Sequence, residues 1–269
     1  MNDIIKELTD LRYLNWTKSR KSSGTAGSFL KSYDDTGTIK KYYKISDFDT
    51  TLGIVGHECV NEIIAQRLMN IIGIEHLEYK LIHALIHIGG MEYETFLCES
   101  LDYKKAGEQK ITLEDFFALE KRGEETPFEF CLRNGWDDYV YKMLIVDYLL
   151  LNRDRHGANI EVLRDSKKKT VRIAPLFDHG LSLVCRCRSL KEVQEFEPLE
   201  DKRVQAFIGS SSTAENIRLV PKEYFDKLNP LKEIDKKQLL EDLEEVIDTS
   251  YLEKIWEMIW KRWCTLYDI

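Results

Sequence analysis

A chain of 269 residues with 43% apolar side chains has enough apolar surface for a substantial core, as one large domain or two lobes sharing a cleft, which excludes a disordered or fibrous chain. The formal charge of -8 and an isoelectric point near 5.4 repel a phosphate backbone at long range, so no broad nucleic-acid surface is expected. Six cysteines are sparse for this length, and no charged-then-apolar signal segment opens the sequence, so a reducing cytoplasm is the expected setting.

A small-residue stretch, Ser22, Ser23, Gly24, Thr25, Ala26, Gly27 and Ser28, separates two strand-like segments at residues 13–17 and 29–33. The β-rich run 39–45, broken by lysines, predicts a further strand of a meander. Val60, Ile63, Ile64, Leu68, Ile71 and Ile72 then recur at helical spacing, and Gly73 follows where a left-handed stop costs least. A helix packed on a sheet is the expectation. Residues 79–88 and 91–97 meet at Gly89-Gly90, a dipeptide that supplies the positive φ angles of a tight hairpin. A five-stranded sheet with one helix is thus expected up to about Leu101.

Beyond that point the pattern turns helical. Thr112-x-x-Asp115 begins one helix, Asp137 or Asp138 caps another that runs to Leu151, and Ser250-x-x-Glu253 reads as a capping box. Residues 143–151 form the most apolar run, but it is too short for a bilayer and carries Asp147, so no membrane span is expected. Lys167 to Lys169 reads as a solvated hairpin tip, and the lone Cys185-x-Cys187 as ordinary thiols. In the last helix Leu252, Ile255, Trp256, Ile259, Trp260 and Trp263 form one core-packing stripe.

The chemistry concentrates after Leu151. Asn152-Arg153-Asp154-Arg155-His156-Gly157-Ala158-Asn159 is a polar loop between apolar elements; two short strands around a turn then lead to Pro175-Leu176-Phe177-Asp178-His179-Gly180. A hairpin there folds Asp178 back beside Asn159 and Asp154, placing two carboxylates and an amide oxygen in one volume, a ligand set suited to Mg²⁺. Phosphoryl transfer asks little more of a protein than metal ions against phosphate charge and a carboxylate to orient the attacking hydroxyl. Lys44, on the strand after the small-residue loop, is the candidate cation for ATP phosphates, Glu62 the helix carboxylate that holds it, and the backbone of Gly24, Thr25, Ala26, Gly27 and Ser28 the cover. Residues 99–102 fall where two lobes join, so the backbone of Glu99 and Leu101 is placed at the adenine. His156 is read as a hydrogen-bonding loop residue, and His179 as a packing residue.

In these motifs the chain resembles the HipA-like family of bacterial serine/threonine kinases. The matching pieces are Ser23-Gly24-Thr25-Ala26-Gly27-Ser28-Phe29-Leu30-Lys31, Tyr43-Lys44-Ile45, Asn61-Glu62 with residues 68–74, Asp154-x-His156-x-x-Asn159, and Ala174-Pro175-Leu176-Phe177-Asp178. The resemblance implies an α+β, bilobal, protein-kinase-like fold, with a sheet-plus-helix lobe over residues 1–101 and a mainly helical lobe over 102–269. It implies Asp154 as catalytic base, Asn159 and Asp178 as metal ligands, Lys44 as the phosphate-binding lysine, and ATP and Mg²⁺ as cofactors. It further implies a protein acceptor with a serine or threonine hydroxyl, a HipB-like antitoxin or small accessory protein as partner, and autophosphorylation at Ser22, Ser23 or Ser28. Asp154-Arg155-His156 also resembles phosphoinositide kinases, which leaves a lipid or small-molecule acceptor open; the acidic surface and the Gly-rich loop leave open a nucleotide-binding pseudokinase that regulates a partner.

Overall fold

Period-two burial in the amino-terminal third builds a sheet. The computed structural model describes residues 3–18 and 29–266. Strands β1 (Ile4–Asp10), β2 (Thr17–Lys18), β3 (Leu30–Asp34) and β4 (Lys41–Lys44), a small hairpin of β5 (Phe48–Asp49) and β6 (Gly53–Ile54), helix α1 (Glu58–Ile72), and the long strands β7 (Tyr79–Ile88) and β8 (Met91–Leu101) follow in order. Six of the strands form one sheet, β1-β7-β8-β4-β3-β2. β7 and β8 pair antiparallel from Tyr79↔Ser100 to Ile88↔Met91, and Gly89 (φ 60) and Gly90 (φ 90) close the turn with the expected left-handed angles. Residues 13–17 are strand only at the end of the expected span, where Thr17 pairs with Lys31. The sixth strand was not expected. β1 lies parallel at the sheet edge against β7, and its residues are mostly half-buried or exposed, so Ile4-Ile5-Lys6-Glu7-Leu8 lacks the alternation that marks a strand.

Helix α1 ends at Gly73 (φ 80), as its sequence predicts. It is buried almost all round, because it lies between the sheet and helices of the carboxy-terminal half. That position explains its interior polar residues. Arg67, 2% exposed, sends Nε and Nη2 to the two oxygens of Asp3, each at 2.8 Å, and Nη1 to the carbonyls of Leu239 and Glu241. Gln66 exchanges hydrogen bonds with the backbone of Tyr79.

The second half contains β9 (Gln109–Thr112), α2 (Leu113–Glu120), α3 (Pro127–Arg133), α4 (Asp137–Leu150), β10 (Asp154–Arg155), β11 (Glu161–Asp165), β12 (Thr170–Ile173), α5 (Leu190–Glu195), β13 (Gln205–Ala206), α6 (Thr213–Asn216), α7 (Lys222–Phe225), α8 (Asp235–Leu240) and α9 (Thr249–Thr265). Thr112 caps α2 by accepting from the Asp115 amide, as predicted. Two caps differ from expectation. Trp136 precedes α4 without a side-chain cap, while Asp137 and Asp138 lie in the first turn, where their charge favours the helix dipole. Asp248, not Ser250, caps α9, taking the Ser250 amide at 2.8 Å. In α9, Leu252, Ile255, Ile259 and Trp263 are buried, with Trp256 and Trp260 stacked at their margin.

The large apolar cluster runs from α1 and strand residues Leu81 and Cys98 through α4 to α9; a smaller one, around Tyr43, Ile45 and Ile86, covers the sheet's other face. Among the described residues no helix is long and apolar enough to cross a membrane. Because Arg67→Met leaves the buried Asp3 carboxylate uncompensated, it is expected to cost about 3–5 kcal/mol of unfolding free energy. Urea denaturation checks this; a loss below about 1 kcal/mol, the scale of a surface pair, refutes the clamp's role.

Candidate active site

Helix α4 stops sharply at Leu151, whose left-handed backbone (φ 51) costs a leucine roughly 1–2 kcal/mol and is held by complete burial. The loop that follows is organised by one cation. Buried Arg155 donates from Nη2 to Asp147 Oδ1 (2.9 Å) and from Nε to Asp147 Oδ2 (3.0 Å), and its Nη1 reaches the carbonyls of Phe177 (2.7 Å) and Asn159 (3.2 Å). Its planar fork thereby ties α4, the Asp154 loop and the chain entering Asp178, which a lysine's point charge does not replace. Asn152 adds to this frame, donating to Asp147 Oδ1 at 2.9 Å and accepting from the Asp154 amide at 3.2 Å. Asn159 donates to the Asp154 carbonyl at 2.7 Å, which fixes its amide group and leaves its oxygen free to ligate. Asp154 itself keeps a quarter of its side chain exposed, with His156 Nε2 3.8 Å from Oδ1. Burial raises its carboxyl above the ordinary 3.8, opposed by His156 and reinforced by the charge of Asp178. His156 acts within the loop: its Nδ1 accepts from the Ala158 amide.

Lys44, on β4, points into the interior. Its Nζ lies 2.6 Å from Asp178 Oδ1, 3.2 Å from Glu62 Oε1 and 4.9 Å from the centre of the Phe29 ring. Burial disfavours the ammonium, but the Asp178 and Glu62 carboxylates hold Lys44 well above its ordinary value. Asp178 moves the other way: burial opposes its charge, yet Lys44, then Lys31, keep the carboxyl well below the usual carboxylate range. Glu62, fully buried, is pushed up by burial despite Lys44. It has a further task that its sequence position alone does not report. Oε2 accepts the His179 amide (2.9 Å) and Oε1 the Gly180 amide (3.0 Å), so α1 grips the segment after Asp178 as well as the lysine. Asp178 adopts φ 60, and its amide donates to the Tyr79 hydroxyl. Gly180 is needed for space: a Cβ there sits 3.1 Å from Glu58 Cβ and 3.3 Å from both Glu62 Oε1 and Lys44 Nζ. His179 is buried and held neutral by burial.

These groups adjoin a cavity of about 320 Å³ lined by Lys44, Asp178, Tyr79, Ser100, Tyr103 and Phe177 among others, a size suited to a small-molecule site. Lys31 and Lys110 also line it; Lys31 was noted only as the end of a matching motif and Lys110 not at all, because a strand lysine carries no sign of which face it takes. Glu99 turns its side chain to the opposite face, accepting from the Tyr43 hydroxyl and Lys41, each at 3.0 Å, and β8 has partners on both sides through Ser100. From Leu101 onward one edge of the backbone is free, so of the two predicted adenine contacts Leu101 has the open main chain. Gly24, Thr25, Ala26, Gly27 and Ser28 lie outside the described residues.

Among the described residues no group of three or more His, Cys, Asp or Glu side chains is arranged to hold a metal. Of the two carboxylates and the amide oxygen expected in one volume, the resemblance assigns one carboxylate and one amide, Asp178 and Asn159, to the metal, and such a pair suits a hard divalent ion that keeps waters and substrate oxygens in its other positions. Asp178 Oδ2 and Asn159 Oδ1 are the donors left after Lys44 and the Asp154 carbonyl have taken their partners.

The fold is a kinase-like α+β architecture, with a sheet-containing amino-terminal part and a mainly helical carboxy-terminal part. No protein-family model matches the chain, and no curated protein matches it. Among solved structures it is similar to the Helicobacter pylori proinflammatory kinase CtkA, with a TM-score of 0.66 and 15% identity over 96% of each chain, a likeness of fold.

If Lys44, Glu62 and Asp178 act as one unit, Lys44→Met and Glu62→Gln in a double-mutant cycle couple by about 0.5–3 kcal/mol in unfolding free energy. Additivity of the two losses contradicts that unit.

Proposed function

We propose that the chain is an ATP- and Mg²⁺-dependent protein kinase of HipA-like type, which moves the terminal phosphoryl group of ATP to a serine or threonine hydroxyl. The observation that carries this reading is the convergence of Lys44, Glu62 and Asp178 in one buried cluster whose charge reaches Asp154. A kinase of the same fold among solved structures supports it.

In this reading Lys44 supplies a fixed cation for the nucleotide phosphates, and Glu62 keeps it aimed while holding the Asp178 segment in place. Asn159 and Asp178 would hold Mg²⁺, which when bound would supply positive charge against the phosphates. Asp154 receives the acceptor's proton as the hydroxyl oxygen bonds phosphorus and the bond between phosphorus and the leaving ADP oxygen breaks; the products are a phosphoester, ADP and one proton. Arg155 takes no part in the chemistry and acts as a positioning residue. Its ties to Phe177, Asn159 and Asp147 hold the base and the metal donors in one frame.

The expected outcome is Mg²⁺-dependent transfer of labelled phosphate from ATP to protein, including to the chain itself, with Asp154→Asn slower by roughly 10²–10⁴-fold. The pH profile carries the sign. Asp154 works deprotonated and burial raises its carboxyl, so kcat/KM falls on acidification through a pH above 3.8, the ordinary aspartate value, and this limb is lost in Asp154→Asn. Wild-type protein that labels no protein in a lysate, or equals the variant, ends the reading.

A further inference from the structure

Asp154 also stands in the wall of a second cavity, of about 730 Å³, which neither Lys44 nor Asp178 lines. Three arginines line it with Asp154: Arg153, Arg186 and Arg203. Arginine ion pairs elsewhere are made by Arg12 with Asp10 and Glu92, Arg67 with Asp3, Arg133 with Glu125, Arg155 with Asp147, Arg172 with Glu108 and Arg188 with Asp47; among the described residues, none involves these three. Arg153 is half-buried, and its Nε is sealed from solvent with no hydrogen-bond partner. A buried guanidinium donor without an acceptor is costly to keep. Three unpaired guanidinium groups around a candidate base ask for an anion.

The cavity wall also includes a strand edge. Gln205–Ala206, β13, pairs in parallel with Asp154–Arg155; among the described residues no strand pairs its other side, where the Val204 amide donates to the Ser211 carbonyl. An extended peptide adds to such an edge with main-chain hydrogen bonds, which a compact headgroup does not use. The chain's net charge of -8 repels acidic partners at long range, but at physiological salt that field is screened over about 8 Å, and the local arginines decide what binds.

We propose that this cavity is the acceptor subsite and that it selects an extended protein segment whose serine or threonine is flanked by acidic side chains. The proposal rests on the kinase reading for the role of Asp154, and adds to it the class of segment that presents the hydroxyl.

The test uses fluorescence anisotropy with the full chain and three labelled peptides that share a central serine flanked by Glu, by Gln or by Lys. The Glu peptide is expected to bind roughly tenfold more tightly than the Gln peptide, the scale of one charge-assisted hydrogen bond, with the preference shrinking as salt rises. Arg186 and Arg203 are exposed, so Arg186→Gln with Arg203→Gln is expected to leave the melting temperature in place and to erase most of that preference. Equal binding of the Glu and Gln peptides, or a preference for Lys, overturns the proposal. So does a Glu preference that the double variant leaves intact, or binding of anionic vesicles or free inositol phosphate that the double variant abolishes with no peptide preference present. The variant Asp154→Asn keeps the two readings apart: it is expected to retain the Glu preference while losing transfer. A wild type that prefers the Glu peptide yet phosphorylates no protein upholds the anionic subsite and refutes the kinase reading.

Discussion

A lysine ammonium in a protein interior keeps its charge only if carboxylates stand beside it, and Lys44 has two, Glu62 at 3.2 Å and Asp178 at 2.6 Å. The two come from distant parts of the chain, so satisfying this one charge fixes how the sheet, helix α1 and the segment after residue 176 meet. Glu62 multiplies the constraint by accepting the His179 and Gly180 amides, and Asn61, its neighbour, donates to the Gly180 and Ser182 carbonyls. The parallel bridge between His76 and Leu176 holds the same segment from the other end of α1. Any displacement of Asp178 therefore exposes the lysine's charge, the helix carboxylate and several main-chain groups at once.

A second buried charge does for the Asp154 loop what Lys44 does for the cleft. Arg155 is satisfied by Asp147 and by two carbonyls, one of them immediately before Asp178, so the loop and the Asp178 segment share a single anchor. The result is a division of labour. One cavity contains the lysine and Asp178, the other contains Asp154 and arginines that have no ion-pair partner among the described residues, and the two carboxylates lie near enough to influence each other's charge. In the proposed kinase reading the first would be the donor side and the second the acceptor side of a transfer between two substrates.

Much of this was legible where the signal is local. The apolar period of α1, its Gly73 stop and the Gly89-Gly90 turn each depend on neighbours in sequence, and each stands where it was expected. Of the residues singled out by their order, Lys44, Glu62 and Asp178 meet in one cluster, and Asn159 bonds the Asp154 carbonyl. What sequence did not disclose were partnerships across long separations. β1 forms an edge strand because β7 offers it a ladder, not because its own pattern alternates, and Asp3 is buried because Arg67 requires it. Asp147 read as one charge in an apolar run, and Arg155 as one member of a polar loop; only the helix end at Leu151 turns them toward each other. Caps slipped for a nearer reason, since Asp248 and Ser250 rank alike as caps and Asp248, two residues earlier, started the helix.

The measurement that bears most directly on the shared role of Lys44, Asp178 and Asn159 is calorimetric titration of the wild type with a non-hydrolysable ATP analogue, with and without Mg²⁺. The account predicts binding that Mg²⁺ strengthens, with the Mg²⁺ dependence lost in Asp178→Asn and in Asn159→Ala. Wild-type affinity that is absent, or indifferent to Mg²⁺ and to both substitutions, contradicts it.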